Sequence, residues 1–305
     1  MPDADPAQAR SMTMKRRQFL TGAAATAGAV LSSVRAQAPR EAVLRLGSQE
    51  SRLPGANLKE KVANLAAWGG TGLEPHGNPW SRLAEIREAL SGTEVKVSAL
   101  CWGSHKGDLV STDPDRRKKG IEDLRAALET AGELGAQGVI FVPCFHKESE
   151  LPPAELDKIL LDILPPLGEH AARCRTRVLL EPLNKGETFY LNRVEQAAEI
   201  CRKVNSPGIA LMADFYHMSR EEADQAAAIV TGGPWLHHVH VATGKSRILP
   251  AQEEHSFVEG MRGLRKVGYQ GWCSLECGIR KGTDPMVEIP KAFEHLREQW
   301  KLSAL

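Results

Sequence analysis

The sequence predicts a single closed (β/α)8 barrel, and three observations carry that expectation. From residue 42 onward, short β-rich runs alternate with amphipathic helical stretches; eight such runs can be counted, and no low-complexity linker divides them. The stretch 39–305 has the length of one closed barrel, about 250 residues. No G-x-G-x-x-G turn follows the first run, which weighs against an open, dinucleotide-binding sheet.

Residues 1–38 stand apart from the rest. Met14-Lys15-Arg16-Arg17-Gln18-Phe19-Leu20 sets paired arginines before the Ala/Gly-rich, weakly apolar run 21–34, and Ala36-Gln37-Ala38 offers a small-x-small cleavage pattern. This reads as a twin-arginine export signal. The expected domains are therefore a signal, 1–38, and a barrel, 39–305, and the expected location is the periplasm. Removing the signal takes five of the 39 basic and two of the 38 acidic residues, leaving 34 against 36 and a net charge of −2. That balance supplies no basic surface for nucleic acid or for an anionic membrane. No later segment is apolar enough to span a bilayer. The expected partner is a small molecule, with a homo-oligomer left open.

The expected strands are 43–47, 72–74, 95–101, 138–143, 177–181, 209–214, 236–241 and 272–276. Helical patterns fall between them at 81–90, 116–134, 153–175, 194–204, 220–231, 257–267 and 285–300. Within 116–134, Ile121, Leu124, Ala127 and Leu128 recur at three- and four-residue spacing, as a helix covering a sheet requires. Cys101, Cys144 and Cys273 fall in or beside strand runs, Cys174 and Cys201 in helical ones, and Cys277 just past a strand. A core of this size needs no covalent staples, so buried free thiols are expected.

In a barrel of this kind, reactive residues sit at the carboxyl ends of the strands, where the connecting loops converge. Strand five ends in Glu181, strand six in Asp214, strand seven carries His240 and strand eight ends in Glu276. Four metal-competent groups thus arrive on four consecutive strands, and neighbouring strands lie about 4.8 Å apart, close enough to share one cation. A helix cap or a core histidine explains any one of them. Separate caps have no reason to fall in register, and the register favours a metal site. Three carboxylates and one imidazole form a hard, anionic set suited to Mn²⁺ first, with Mg²⁺, Co²⁺ or Zn²⁺ also admissible.

These residues and their neighbours resemble the xylose-isomerase-like barrel superfamily, in particular the sugar isomerase and epimerase group that contains D-tagatose 3-epimerase and hydroxypyruvate isomerase. The resemblance is carried by Glu181-Pro182-Leu183-Asn184-Lys185-Gly186-Glu187 with Leu191-Asn192, by Asp214-Phe215-Tyr216-His217, by His238-Val239-His240 with Arg247, and by Ser274-Leu275-Glu276. It implies that Glu181, Asp214, His240 and Glu276 bind one divalent metal, that Glu181 and Glu276 also form the acid/base pair, and that Glu187, His217 and Arg247 contact substrate. Lys185 stands where the family commonly has Arg.

The chemistry such a site supports is proton abstraction beside a carbonyl. A cation gripping an α-hydroxy ketone or aldehyde acidifies the carbon-bound proton, and one carboxylate removes it while the other returns a proton. Return to the opposite face is epimerisation; return to the neighbouring carbon is isomerisation. The expected substrate is a non-phosphorylated sugar or small α-hydroxy carbonyl compound, with Trp102 as an apolar wall. Glu74-Pro75-His76 and Cys101-Trp102-Gly103 also fall at the mouth, whereas His105 and His146 read as solvated loop residues. The alternative expectation is a lyase eliminating a β-substituent from a keto-sugar, keto-glycoside or keto-inositol. A sugar-binding protein without turnover and a multi-zinc nuclease are weaker: the Glu pair argues against the first, and the charge and the lack of histidines at the ends of strands three and four against the second.

Overall fold

Nine parallel strands form one nearly closed barrel in the computed structural model, which describes residues 40–304. The strands are β1 (Arg45–Gln49), β2 (Gly72–Glu74), β3 (Lys96–Val97), β4 (Leu100–Gly103), β5 (Val139–Phe141), β6 (Val178–Leu180), β7 (Ile209–Asp214), β8 (Leu236–Val241) and β9 (Trp272–Leu275). They pair in the order β3-β2-β1-β9-β8-β7-β6-β5-β4. The expected export signal lies outside the described residues. No helix among the described residues is long and apolar enough to cross a membrane.

The ninth strand comes from the third expected one, 95–101, which changes partner midway. Ser98 N–H donates to Leu73 O of β2 at 2.9 Å, whereas Leu100 N–H donates to Gly138 O, just ahead of β5, at 3.0 Å. β3 and β4 are thus two halves of one tilted strand, and the ring closes through the covalent chain at Ser98 and Ala99. Stagger between neighbouring strands is what closing a barrel demands.

The helices are α1 (Leu58–Ala67), α2 (Leu83–Leu90), α3 (Pro114–Leu134), α4 (Pro153–Arg173), α5 (Val194–Val204), α6 (Phe215–Glu221), α7 (Gln225–Gly232), α8 (Val258–Lys266) and α9 (Pro285–Leu302). α1 has no counterpart among the helices expected from the sequence; its start is set by Asn57 Oδ1 accepting the Glu60 N–H at 3.0 Å. The single helix expected at 220–231 is two. The chain leaves the helical conformation at Glu222, and the Asp224 side chain caps α7 through the Ala227 N–H.

Two apolar layers follow from the two-residue alternation of strand side chains. Residues facing outward, among them Leu73, Phe141, Leu180, Leu211, Val239 and Leu275, pack with the helices into the main core. Those facing inward form a separate small cluster of Ala99, Ile140, Leu179, Ala210 and Met212. This inner cluster is a dry floor: two residues further along the same strands come Cys101, Glu181 and Asp214. All six cysteines are free, but only Cys144, Cys201, Cys273 and Cys277 are buried; Cys174 is half-buried and Cys101 is exposed. Cys101 differs from expectation because it points into the open mouth of the barrel, where it lines a cavity.

Candidate active site

Glu181 follows β6, Asp214 closes β7, His240 lies within β8 and Glu276 follows β9. Strand alternation turns all four inward, and one donor atom from each lies within 4.8 Å of the other three. His240 Nδ1 is 3.1 Å from Glu276 Oε2 and 3.7 Å from Glu181 Oε1. Asp214 combines the two roles open to a strand-end carboxylate: Oδ1 caps α6 by accepting the Tyr216 N–H at 2.8 Å, and Oδ2 faces the cluster.

A second row of side chains surrounds this cluster. Arg247 Nη2 donates to Glu276 Oε2 at 2.6 Å and to Asp214 Oδ2 at 3.0 Å, while Nη1 reaches Glu187 Oε1 at 3.4 Å. Its guanidinium stacks on the Tyr216 ring with 4.7 Å to the centroid. Its backbone is left-handed, with φ of 51°, and its carbonyl accepts the Gly278 N–H at 2.7 Å, tying the loop after β8 to the one after β9. Asn184 orients two further groups: its Nδ2 donates to Glu187 Oε1 at 3.0 Å and contacts His217 Nδ1 at 2.7 Å. The Asn184 backbone N–H also points at His217 Nδ1, at 3.2 Å, which leaves the proton of that ring on Nε2, 3.5 Å from Asp214 Oδ2.

Burial over a dry floor separates the protonation preferences of these carboxyls. Asp214 is pushed up to about 7, first by burial and then by the negative charge of Glu276, with Arg247 and His240 opposing. Glu181 is raised by burial and by Glu276, against the pull of His240. Glu276 goes the other way, to about 2: burial opposes ionisation, but the charges of His240 and Arg247 outweigh it. Burial, then Arg247, pushes His217 down to about 3, so this imidazole is neutral across the working range.

The residues present fit a divalent cation. His240 Nδ1 is buried without a hydrogen-bond partner, although its ring is held from the other side by Glu74, 3.0 Å from Nε2. A lone nitrogen aimed at three buried or half-buried carboxyls is the arrangement a hard metal ion completes. Arg247 and a His240 proton are the only positive charges among the described residues that touch these three carboxyls.

The xylose isomerase-like TIM barrel model matches residues 62–299. The chain belongs to that family. It is 29% identical over 264 residues to 3-dehydro-D-guloside 4-epimerase of Escherichia coli, covering 83% of this chain and 99% of the relative. It is 31% identical over 207 residues to D-psicose 3-epimerase of Ruminiclostridium cellulolyticum, covering 66% and 70%. Among solved structures, apo 3-keto-D-glucoside 4-epimerase from E. coli superposes with a TM-score of 0.76 at 26% identity, over 84% of this chain and all (100%) of that one. These relatives are sugar epimerases, and this chain is an enzyme of the sugar isomerase and epimerase kind.

Within this xylose isomerase-like barrel, the structure brings together seven of the eight residues singled out from the sequence: the four strand-end groups with Glu187, His217 and Arg247. Trp102 is not among them. A register shift between Cys101 and Gly103 accompanies its strand, and Trp102 lies buried in the outer core, stacked on His105 at 3.8 Å and edge-on to Phe141. Cys101 takes the inward position instead. Lys185 points to solvent and pairs with Glu221 at 3.5 Å, away from the cluster. Gln49 was missed by the sequence reading: its Nε2 donates to Glu276 Oε1 at 2.9 Å. The expected first strand ended at Gly47, but β1 runs two residues further, which turns an apparent loop residue into a strand-end one. His238 was missed as well, and the alternation His238-Val239-His240 is the signal that could have found it.

Proposed function

We propose that this protein epimerises or isomerises a non-phosphorylated sugar beside a carbonyl group, using a divalent cation held by Glu181, Asp214, His240 and Glu276. The observation that carries the proposal is the meeting of the Glu181 and Glu276 carboxyls, from strands either side of those of Asp214 and His240, within one cluster of donor atoms. Bound there, Mn²⁺ or a similar hard ion would polarise the carbonyl and its neighbouring hydroxyl, lowering the energy of the charge that develops on those oxygens.

The side chains do the proton work. One of Glu181 and Glu276 accepts the carbon-bound proton and the other returns one; in the reverse direction the roles exchange. His217, neutral with its proton on Nε2, donates a hydrogen bond to a substrate oxygen. Arg247 and Glu187 hold hydroxyls, and Asn184 keeps Glu187 and His217 in place. Similarity to 3-dehydro-D-guloside 4-epimerase supports keto-glycosides as substrates beside free ketoses. The twin-arginine pattern at Arg16 and Arg17 supports action in the periplasm.

The test is incubation of the Mn²⁺-supplemented mature protein with free ketoses and with 3-keto-glycosides in deuterated buffer. Solvent deuterium at a carbon beside the carbonyl, with a new epimer or isomer, is the expected result. Release of an aglycone or water in place of an epimer identifies a lyase and overturns the proposal, as does inertness toward every sugar.

A further inference from the structure

Glu74 ends β2, separated from β8 in the ring by β1 and β9, yet its carboxylate meets both histidines of β8. His238 Nε2 lies 2.8 Å from Glu74 Oε1, and His240 Nε2 lies 3.0 Å from Oε2 and 3.2 Å from Oε1. All three side chains are buried. The reach is permitted by what β1 and β9 place between them: Gly47 and Ser274 stand opposite each other, and Ser274 is in register with His240. A Cβ at Gly47 would come within 2.7 Å of Ser274 Oγ and 2.8 Å of Gly72 O, so this crossing tolerates no larger residue. A carboxylate can only accept. Both imidazoles therefore present Nε2–H to it, and each Nδ1 is left without a hydrogen bond. For His240 that nitrogen faces Glu276 and Glu181.

We propose that Glu74 is a positioning residue for the cation centre: by accepting Nε2–H of His240 it fixes Nδ1 as the ligating nitrogen, and His238 holds the Glu74 carboxylate in that pose. The inference rests on the cation reading of the preceding section. Carboxylate-bound imidazole ligands owe their tautomer and ring orientation to such a partner, and losing it typically weakens metal binding about 10- to 100-fold. The same three residues also have the composition of a small metal site of their own. The direct contacts between Nε2 and carboxylate oxygens, at hydrogen-bond length, favour protons there instead.

The experiment measures Mn²⁺ binding to the metal-free mature protein by chelator competition, for wild type and Glu74→Gln, with stoichiometry. The expected result is one ion per chain in wild type and an affinity 10- to 100-fold lower in the variant. Equal affinities overturn the role of Glu74 while leaving the cation reading intact. No binding by wild type removes the cation reading and this inference together. Two ions per chain make Glu74 a ligand and overturn its role as a positioning residue. Should Glu74→Gln not fold, ¹⁵N spectra of histidine-labelled, Zn²⁺-loaded wild type decide alone: a proton on His240 Nε2 is expected, and a proton on Nδ1 overturns the proposal. A merely structural Glu74 would shift Tm without changing the affinity of the folded variant.

Discussion

Arg247 lies 2.6 Å from Glu276, and the same guanidinium nitrogen lies 3.0 Å from Asp214, so one residue from the loop after β8 ties together two carboxyls that end other strands. Its positive charge is aimed where a substrate hydroxyl or its developing negative charge would sit. Arg247→Ala is expected to lower kcat/KM by about 10²-fold, close to 2.7 kcal/mol of transition-state stabilisation. Mn²⁺ affinity should not fall, because the variant removes a charge that repels the cation. A parallel loss of metal affinity in the chelator assay would show that Arg247 holds the site rather than the substrate.

The proton-transfer pair makes a sharper demand. Glu181→Gln and Glu276→Gln each keep the shape of the side chain and remove its ability to carry a proton. Each is expected to cost about 10²- to 10⁴-fold in turnover, the range for positioned acid/base groups. Deuterium incorporation into recovered substrate separates the two: the variant lacking the base for a given direction should show no exchange. Exchange at the wild-type rate in both variants would exclude them from the chemistry.

Stability should depend on pH in a way that a cation reverses. The carboxyl of Asp214 is raised from 3.8 to about 7 in the folded protein. The folded state thus binds this proton more tightly, and the resulting stability is complete below pH 3.8 and lost as pH rises through 7. Glu181, also raised, acts in the same direction. Glu276, lowered from 4.5 to about 2, acts only at the acid end, where its stabilisation is lost as pH falls from 4.5 through 2. The Tm of the metal-free protein is therefore expected to fall between pH 4 and pH 7. A divalent ion competes with the same proton, so its affinity should rise over that interval, with proton release measurable by calorimetry. At a hundred times its Kd, the ion adds about 2.7 kcal/mol, roughly 5–10 °C in Tm for a domain of this size. Asp214→Asn should flatten the pH slope, leaving the part due to Glu181, and lose the gain on adding metal; a wild-type Tm that is flat from pH 4 to 7 would contradict the assignment.

The twin-arginine reading is tested separately. Replacing Arg16 and Arg17 together by Lys keeps the charge and the apolar run that follows. The precursor is expected to remain in the cytoplasm at full length, whereas the wild-type chain is recovered from the periplasm shortened by 38 residues. Equal export of both would assign residues 1–38 another role.

Much of the site could be read from the chain because each strand advertises its own end. Alternation along Val178-Leu179-Leu180, or along Ala210 to Asp214, is local, and it determined which side chain of each strand turns inward and which residue stands at its carboxyl end. Glu181, Asp214, His240 and Glu276 were found by that rule alone. What only the tertiary structure decided are the contacts across the ring. Gln49 meets Glu276 from 227 positions away and Glu74 meets His240 from 166 away, at distances set by the stagger of the strands and by the smallness of Gly47 and Ser274. Trp102 follows the local rule: Ala99 and Cys101 turn inward, so the same alternation faces Leu100 and Trp102 outward into the core, away from the cavity. Local periodicity fixes the facing of a side chain; its partners depend on how separate strands slide past one another when the barrel closes.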